Sequence, residues 1–441
     1  MSNSTTSRSA ELFAKAQQWL PGGVSRNTLL RDPHPIYVAS GKGCRVIDVD
    51  GDEYIDFAGN MASLIHGHAH PVIVEAITKQ LQLGTAFSLA TEAEVQYAEQ
   101  LTSRSASFDK IRFVNSGTEA VMAGLKAARA FTGRTKIAKV EGSYHGAYDY
   151  AEVSQAPSPK NWGESATPES VPLAHGTPKA VLTDVIILPF NEPEKALARL
   201  NEHADEIACV LLDPIPHRVG LSAVAPDFVA AMRKWTRDNG ALLMFDEVIT
   251  FRSEYGGMQE RYDDRPDLTS MGKMIGGGFP VGALAGREEV MQVFQSMGGT
   301  PLLPHSGTFS ANPISMTAGR LAMELFDREA VARLNTLGDR ARAGIAKAFA
   351  DADFPATVTG AGSMLRMHMK AETPYDYRSA WINKDESEAL RQLLEGMRQE
   401  GVMLVQTGTA MLSTPMGEAE IDHLCSAVAT SLKGVDRALL G

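Results

Sequence analysis

Only three cysteines occur in 441 residues, Cys44, Cys209 and Cys425, far apart and without a C-x-x-C pair. Their scarcity excludes a disulfide-stapled scaffold and a thiolate zinc finger, and it fits a reducing compartment, with the cytoplasm as the expected location. No run of about 18 apolar residues is present, so no membrane span is expected. The opening MSNSTTSRSAELF lacks the apolar core of a secretion signal. Basic residues do not predominate: 42 Lys and Arg stand against 53 Asp and Glu, a formal charge of −11. That balance argues against nucleic acid as a partner. No G-x-G-x-x-G follows a strand-like run. The P-loop pattern fails around Lys273, because Asp267 stands where its first glycine belongs and Met274 follows the lysine. Internal repeats and low-complexity blocks are absent as well.

What is present is a chain long enough for two or three units at roughly 150 residues per domain. Leu12, Phe13, Ala16 and Leu20 recur at helical spacing until Pro21-Gly22-Gly23 ends the segment. The runs 44–49 and 54–57 read as strands joined through Asp50-Gly51, a dipeptide that favours a tight primed hairpin turn. From Pro71 strands alternate with helices: 111–114 and a helix through Phe131, 136–140, 185–188 with 192–203, 208–212 with 227–239, then 242–245. This alternation predicts an α/β fold, a mostly parallel sheet with helices on both faces and ligand groups at the strand ends. The stretch 156–177 has no periodicity and reads as a surface excursion near the site. Helical patterns at 328–351 and 384–400, flanking strand-like runs at 364–369 and 403–405, predict a smaller α+β domain. The expected division is 1–70 as an arm and hairpin, 71–324 as the large domain and 325–441 as the small one.

Three short motifs suggest chemistry. Phe113-Val114-Asn115-Ser116-Gly117-Thr118 ends a strand and opens a helix, so free N–H groups, the helix dipole and two hydroxyls meet where an anion such as a phosphate monoester could bind. Leu242–Phe245 ends in Asp246 and Glu247; side chains alternate, so Asp246 is the acid placed to meet a ligand. Lys273 is the lone charge in the glycine-rich run Ser270–Gly282, and desolvation there lowers an amine's pKa and makes it nucleophilic, as a Schiff-base lysine requires. A fourth motif, His66-Gly67-His68-Ala69-His70-Pro71, could place alternate histidines on one strand face and carries the rival expectation of a metal-dependent hydrolase. No further ligand cluster at metal spacing accompanies it downstream.

A phosphate cradle, a carboxylate and a buried amine are together what pyridoxal phosphate requires. With these motifs, and with Gly142-Ser143-Tyr144-His145-Gly146 and Gly307-Thr308-Phe309-Ser310-Ala311-Asn312-Pro313, the chain from about Pro21 to Leu432 resembles the class III, fold-type I aminotransferases. It is most similar to glutamate-1-semialdehyde aminomutase and the β-amino-acid transaminases. The resemblance implies a seven-stranded, mostly parallel sheet, with the N-terminal segment and C-terminal region forming the small domain. It implies that Lys273 holds the cofactor as an internal aldimine, that Asp246 pairs with the pyridine nitrogen and that Tyr144 stacks on the ring. Ser116, Gly117 and Thr118 would then hold the phosphate, Val248 would line the cofactor site, and Thr308 would reach the phosphate of a neighbouring subunit in a homodimer.

Aminomutases carry Asn-Ser-Pro-Val-Arg after the N-terminal glycines, where this chain reads Val24-Ser25-Arg26-Asn27-Thr28. Their Glu-Pro-Val-Ala-Gly-Asn segment is replaced by Asp213-Pro214-Ile215-Pro216-His217-Arg218. Pro21 to Arg26 is more like the β-amino-acid transaminases, in which the arginine matching Arg26 anchors a substrate carboxylate. That subgroup's acceptor-binding arginine is missing from Gln406-Thr407-Gly408-Thr409, so either Arg218 or Arg252 holds an acceptor carboxylate or the acceptor lacks a second carboxylate, with His217 facing the substrate. The expected activity is transfer of an amino group from an amino acid, such as a β-amino acid, to a 2-oxo acid. A 2,1-aminomutase is the alternative.

Overall fold

The structure is a computed structural model that describes residues 7–296 and 298–440. Its strands are β1 (Val38–Lys42), β2 (Arg45–Asp48), β3 (Glu53–Asp56), β4 (Lys110–Val114), β5 (Lys136–Val140), β6 (Val185–Leu188), β7 (Ile207–Leu212), β8 (Leu242–Asp246), β9 (Leu268–Gly272), β10 (Gly282–Gly286), β11 (Thr357–Thr359), β12 (Met364–His368), β13 (Val402–Met403) and β14 (Thr409–Met411). Strands β4 to β10 form one seven-stranded sheet in the order β4-β10-β9-β8-β7-β5-β6, parallel except for β10. Both faces of its central strands are apolar. Leu242 and Met244 pack with the helix Gly117–Thr132, whereas Leu243 and Phe245 pack with the helix Pro226–Asn239. A strand buried on both faces needs helices on both sides, which is the layering observed.

Strands β9 and β10 escape the sequence pattern. LTSMG and GALAG carry little β-branched or aromatic signal, yet every residue in them is buried. The sheet's hydrogen bonding and enclosure, and not propensity, make them strands. The N-terminal hairpin also differs from expectation. Its ladder closes at Ile47↔Glu53, so the connection is wider than a two-residue turn. The Asp48 carboxylate shapes it by accepting the N–H groups of Asp50 and Asp52, both at 2.9 Å.

The hairpin joins the C-terminal region, because β1-β2-β3-β13 is a single sheet and β13 runs parallel to β3. A third sheet, β11-β12-β14, lies against the helix Arg328–Asp351. From 153 to 178 the chain forms neither helix nor strand apart from one bridge between Gly163 and Pro168. No helix among the described residues is long and apolar enough to cross a membrane.

One buried ion pair locks the edge of β9. Asp267 accepts from Arg233 at 2.5 and 3.0 Å and from the Leu243 N–H at 2.8 Å, and Arg287 lies 2.9 Å away. Removing the carboxylate leaves the buried Arg233 cation uncompensated. Asp267→Ala is therefore expected to destabilise the chain by about 3–5 kcal/mol, read as a lower urea midpoint for unfolding.

Candidate active site

The carboxyl ends of β7, β8 and β9 converge on the first turn of the helix Gly117–Thr132. Ser116 caps that helix, its Oγ accepting from the Glu119 N–H at 3.2 Å. The N–H groups of Gly117 and Thr118 have no acceptor among the described residues, so two helix-terminal donors stay free. The Gly117 position tolerates no side chain: a Cβ there would lie 2.7 Å from Val248 Cγ1, and one on Gly272 would lie 3.3 Å from the Gly117 backbone. Strand end and helix start can meet only at glycines, and this close approach brings Lys273, Val248 and the cradle Ser116-Gly117-Thr118 together.

Asp246 is buried at the tip of β8. Its Oδ2 is 2.8 Å from His145 Nδ1, and its Oδ1 accepts from the Val248 N–H at 3.1 Å and from Ser270 Oγ at 3.3 Å. Glu247 turns the other way, accepting from the Met258 and Gln259 N–H groups. Burial raises its pKa to about 7. Lys273 follows β9 with φ of +51°, a left-handed conformation that costs a non-glycine residue energy and is tolerated where the surroundings overdetermine it. Burial lowers the Lys273 pKa, and the nearby Asp246 and Asp213 carboxyls offset part of that effect. Burial, and next the Asp246 charge, raise the Asp213 pKa well above the ordinary carboxylic-acid value. The amine thus lies in the field of two carboxyl groups that are held apart from it.

Tyr144 and His217 meet edge to face, with ring centroids 5.7 Å apart, and Arg218 Cζ lies 5.4 Å from the Tyr144 centroid. These three residues are therefore brought together. Beneath them is Lys139, wholly enclosed, which donates to the carbonyls of Ser143 at 2.9 Å and Val153 at 2.7 Å. Burial lowers its pKa to about 7. Lys139, Asp213 and the bond from His145 to Asp246 were not singled out from the sequence. The lone lysine inside the apolar strand KIAKV was the available signal.

Arg26 is exposed and donates from Nη1 to Asn60 Oδ1 at 2.9 Å. Asn60 belongs to a left-handed turn, Gly59–Ala62, in which four successive φ values lie between +47° and +73°. That turn packs against the 3-10 turn Lys273–Gly276. Thr308 is exposed on the segment that follows Gly307.

Two expectations are corrected. Arg252 is 1% exposed and bonds Ser363 Oγ and the Leu412 carbonyl, so it ties the segment after β8 to the C-terminal region and offers no surface to a substrate. The three histidines do not share a strand face, since Gly67 and Ala69 both have positive φ and turn the backbone between them. His66 bonds Thr414 Oγ1 and the Ala322 carbonyl, and His68 pairs with Asp56 at 2.8 Å. No metal-binding group of His, Cys, Asp or Glu exists among the described residues, which removes the basis for the hydrolase.

A cofactor bearing a phosphate, an aldehyde and a ring nitrogen fits what is present: free N–H donors at the cradle, an amine without a bonded partner, and an oriented carboxylate. The family model of the class III aminotransferases matches residues 29–431. A glutamate-1-semialdehyde 2,1-aminomutase from Methanothermobacter thermautotrophicus is 41% identical over 399 residues, 90% of this chain and 91% of its own. An omega-transaminase from Sphaerobacter thermophilus superposes with a TM-score of 0.95 at 45% identity, covering 98% of both chains. A β-phenylalanine aminotransferase from Variovorax paradoxus has a TM-score of 0.86 at 31% identity, covering 97% of this chain and 94% of its own. The chain belongs to the class III aminotransferases, enzymes of fold type I that act on small amino and oxo acids with pyridoxal phosphate as cofactor.

Proposed function

We propose that the protein is an aminotransferase that takes the amino group of a carboxylate-bearing donor, such as a β-amino acid, and passes it to a 2-oxo acid. The observation that carries this function is the half-buried Lys273 amine, its pKa lowered by burial, facing the Asp246 carboxylate beside a helix terminus with free N–H groups. When bound, pyridoxal phosphate supplies an electron sink for the carbon that loses its proton. Ser116, Gly117 and Thr118 would hold the phosphate, with Val248 closing that end. Asp246, aligned by His145, Ser270 and the Val248 N–H, presents a carboxylate that favours a protonated ring nitrogen. Tyr144 offers its ring face as a stacking surface. Lys273 Nζ is the base that removes the substrate proton and returns it at the neighbouring carbon.

Donor recognition is assigned to Arg26, whose guanidinium Asn60 orients, with His217 on the Tyr144 side. The residues at 24–28 and 213–218 depart from the aminomutase patterns, which supports the aminotransferase reading over the mutase. The printed names of relatives point both ways: an omega-transaminase at 45% identity and an aminomutase at 41%. We further propose a homodimer. Leu83, Leu89, Val95, Leu302 and Phe309 are large, apolar and exposed, and the last two flank Thr308, which would reach the partner subunit's phosphate.

Lys273→Ala is expected to abolish borohydride-trapped cofactor by mass spectrometry and to lower turnover by about 10³-fold or more. Cofactor-loaded enzyme given a β-amino acid and no acceptor should release one ketone per site and stop; continuous isomerisation of glutamate 1-semialdehyde without release would instead identify a mutase. Arg26→Ala should raise KM for carboxylate-bearing donors by about ten-fold or more while sparing simple amines; an unchanged KM rejects the anchoring role. Sedimentation should return twice the monomer mass, and Leu89→Glu combined with Phe309→Glu should shift it towards the monomer.

A further inference from the structure

Arg366 is the third residue of β12, is 7% exposed, and reaches the same wall as Arg218. Its Nη1 donates to the His217 carbonyl at 2.6 Å, and its buried Nε has no acceptor. Arg218, the next residue after His217, donates from Nη1 to the Gln155 carbonyl at 3.3 Å and lies over Tyr144. Among the described residues neither guanidinium forms an ion pair with a carboxylate. Three other enclosed arginines are more fully satisfied. Arg233 has Asp267, Arg378 has Glu141 at 2.9 and 3.0 Å, and Arg104 spends its donors on three carbonyls.

The two cations also lie in each other's field. Burial lowers the Arg366 pKa to about 10, and the Arg218 charge is the next cause. The groups that offset these effects are phenols, Tyr377 for both arginines and Tyr144 for Arg218, and no carboxylate is among them. Two desolvated cations beside one another without a counter-ion are unfavourable unless an anion completes them. His217 lies in the field of both guanidiniums and of the Lys273 amine: burial pushes its pKa well down, and the Arg218, Arg366 and Lys273 charges add to that in turn.

We propose that Arg218 and Arg366 form one anion clamp on the Tyr144 side of the pocket, which takes a carboxylate of a dicarboxylic oxo-acid acceptor. This role rests on the aminotransferase function proposed above. Two guanidiniums from different elements, β12 and the loop after β7, can bond both oxygens of a carboxylate at once, so each loses much of its value without the other. They supply a second carboxylate site apart from Arg26, as a dicarboxylic acceptor requires.

The test is calorimetric titration of glutarate, which lacks a reactive carbonyl, into the cofactor-loaded enzyme, where the phosphate cradle is filled. Wild type is expected to bind glutarate. Arg218→Met and Arg366→Met should each weaken that binding by about ten-fold or more, and the double variant should be little worse than either single one. Arg366→Lys should recover part of the loss. The clamp is overturned if wild type does not bind glutarate, if both single variants bind it as wild type does, or if the losses multiply as independent sites do. Should Arg366→Met fail to fold by its thermal midpoint, the partly exposed Arg218→Met decides on the same titration. Ketone release from the donor by wild type separates the two failures: release without glutarate binding rejects the clamp alone, whereas no release rejects the aminotransferase function.

Discussion

An amine is held in the field of two carboxyl groups without being bonded to either, and most of the site's architecture serves that arrangement. Were Lys273 to form a close ion pair with Asp246, its amine would stay protonated and the acid would be unavailable to a ligand. His145, Ser270 and the Val248 N–H occupy the near side of the Asp246 carboxylate and fix its direction. Burial, and next the Asp246 charge, push the Asp213 pKa up, so this second carboxyl is disfavoured in its charged form. Desolvation then lowers the amine's pKa, and the remaining negative charge keeps that effect from running further.

Chemistry was more legible in the sequence than its support. Lys273, Asp246 and Ser116–Thr118 interrupt apolar or glycine-rich runs, and an interruption of that kind is visible without a structure. Lys139 interrupts β5 in the same manner, yet its acceptors are backbone carbonyls at 143 and 153, and carbonyls have no sequence signature. Arg366 meets the His217 carbonyl 149 residues away, a contact that only the packing of β12 against the loop after β7 creates. The helices at 328–351 and 384–399 were legible because amphipathic periodicity is local. Strands β9 and β10 were not, since glycine and alanine become strands here only through their neighbours.

The two arginines first considered for an acceptor show why spacing alone misleads. Arg252 follows the Asp246 motif closely in sequence, but a 3-10 turn at Thr250–Ser253 directs it under the C-terminal sheet, where Ser363 and Leu412 receive it. Arg218 is farther from the motif and nonetheless stands over Tyr144. A side chain's distance from the chemistry is set by the turn that follows each strand and not by the count of residues between them.

Backbone strain concentrates where those turns meet. Lys273 and the four residues Gly59–Ala62 adopt positive φ, and the two segments pack on one another. Left-handed geometry costs about 1–2 kcal/mol at each non-glycine residue, so such a cluster persists only when neighbouring contacts exceed that cost. The contacts are identifiable: the Asp56 carboxylate accepts the Ala58 and Gly59 N–H groups at 2.9 and 3.0 Å, and Asp56 is itself paired with His68. The histidine motif that suggested a metal thus has a mechanical use, bracing the turn that carries Asn60 and, through it, Arg26. Support for the turn that holds the proposed donor arginine therefore originates in the N-terminal segment. The Lys273 amine follows β9 of the seven-stranded sheet, and its position relative to that turn depends on both being held in a strained but overdetermined junction.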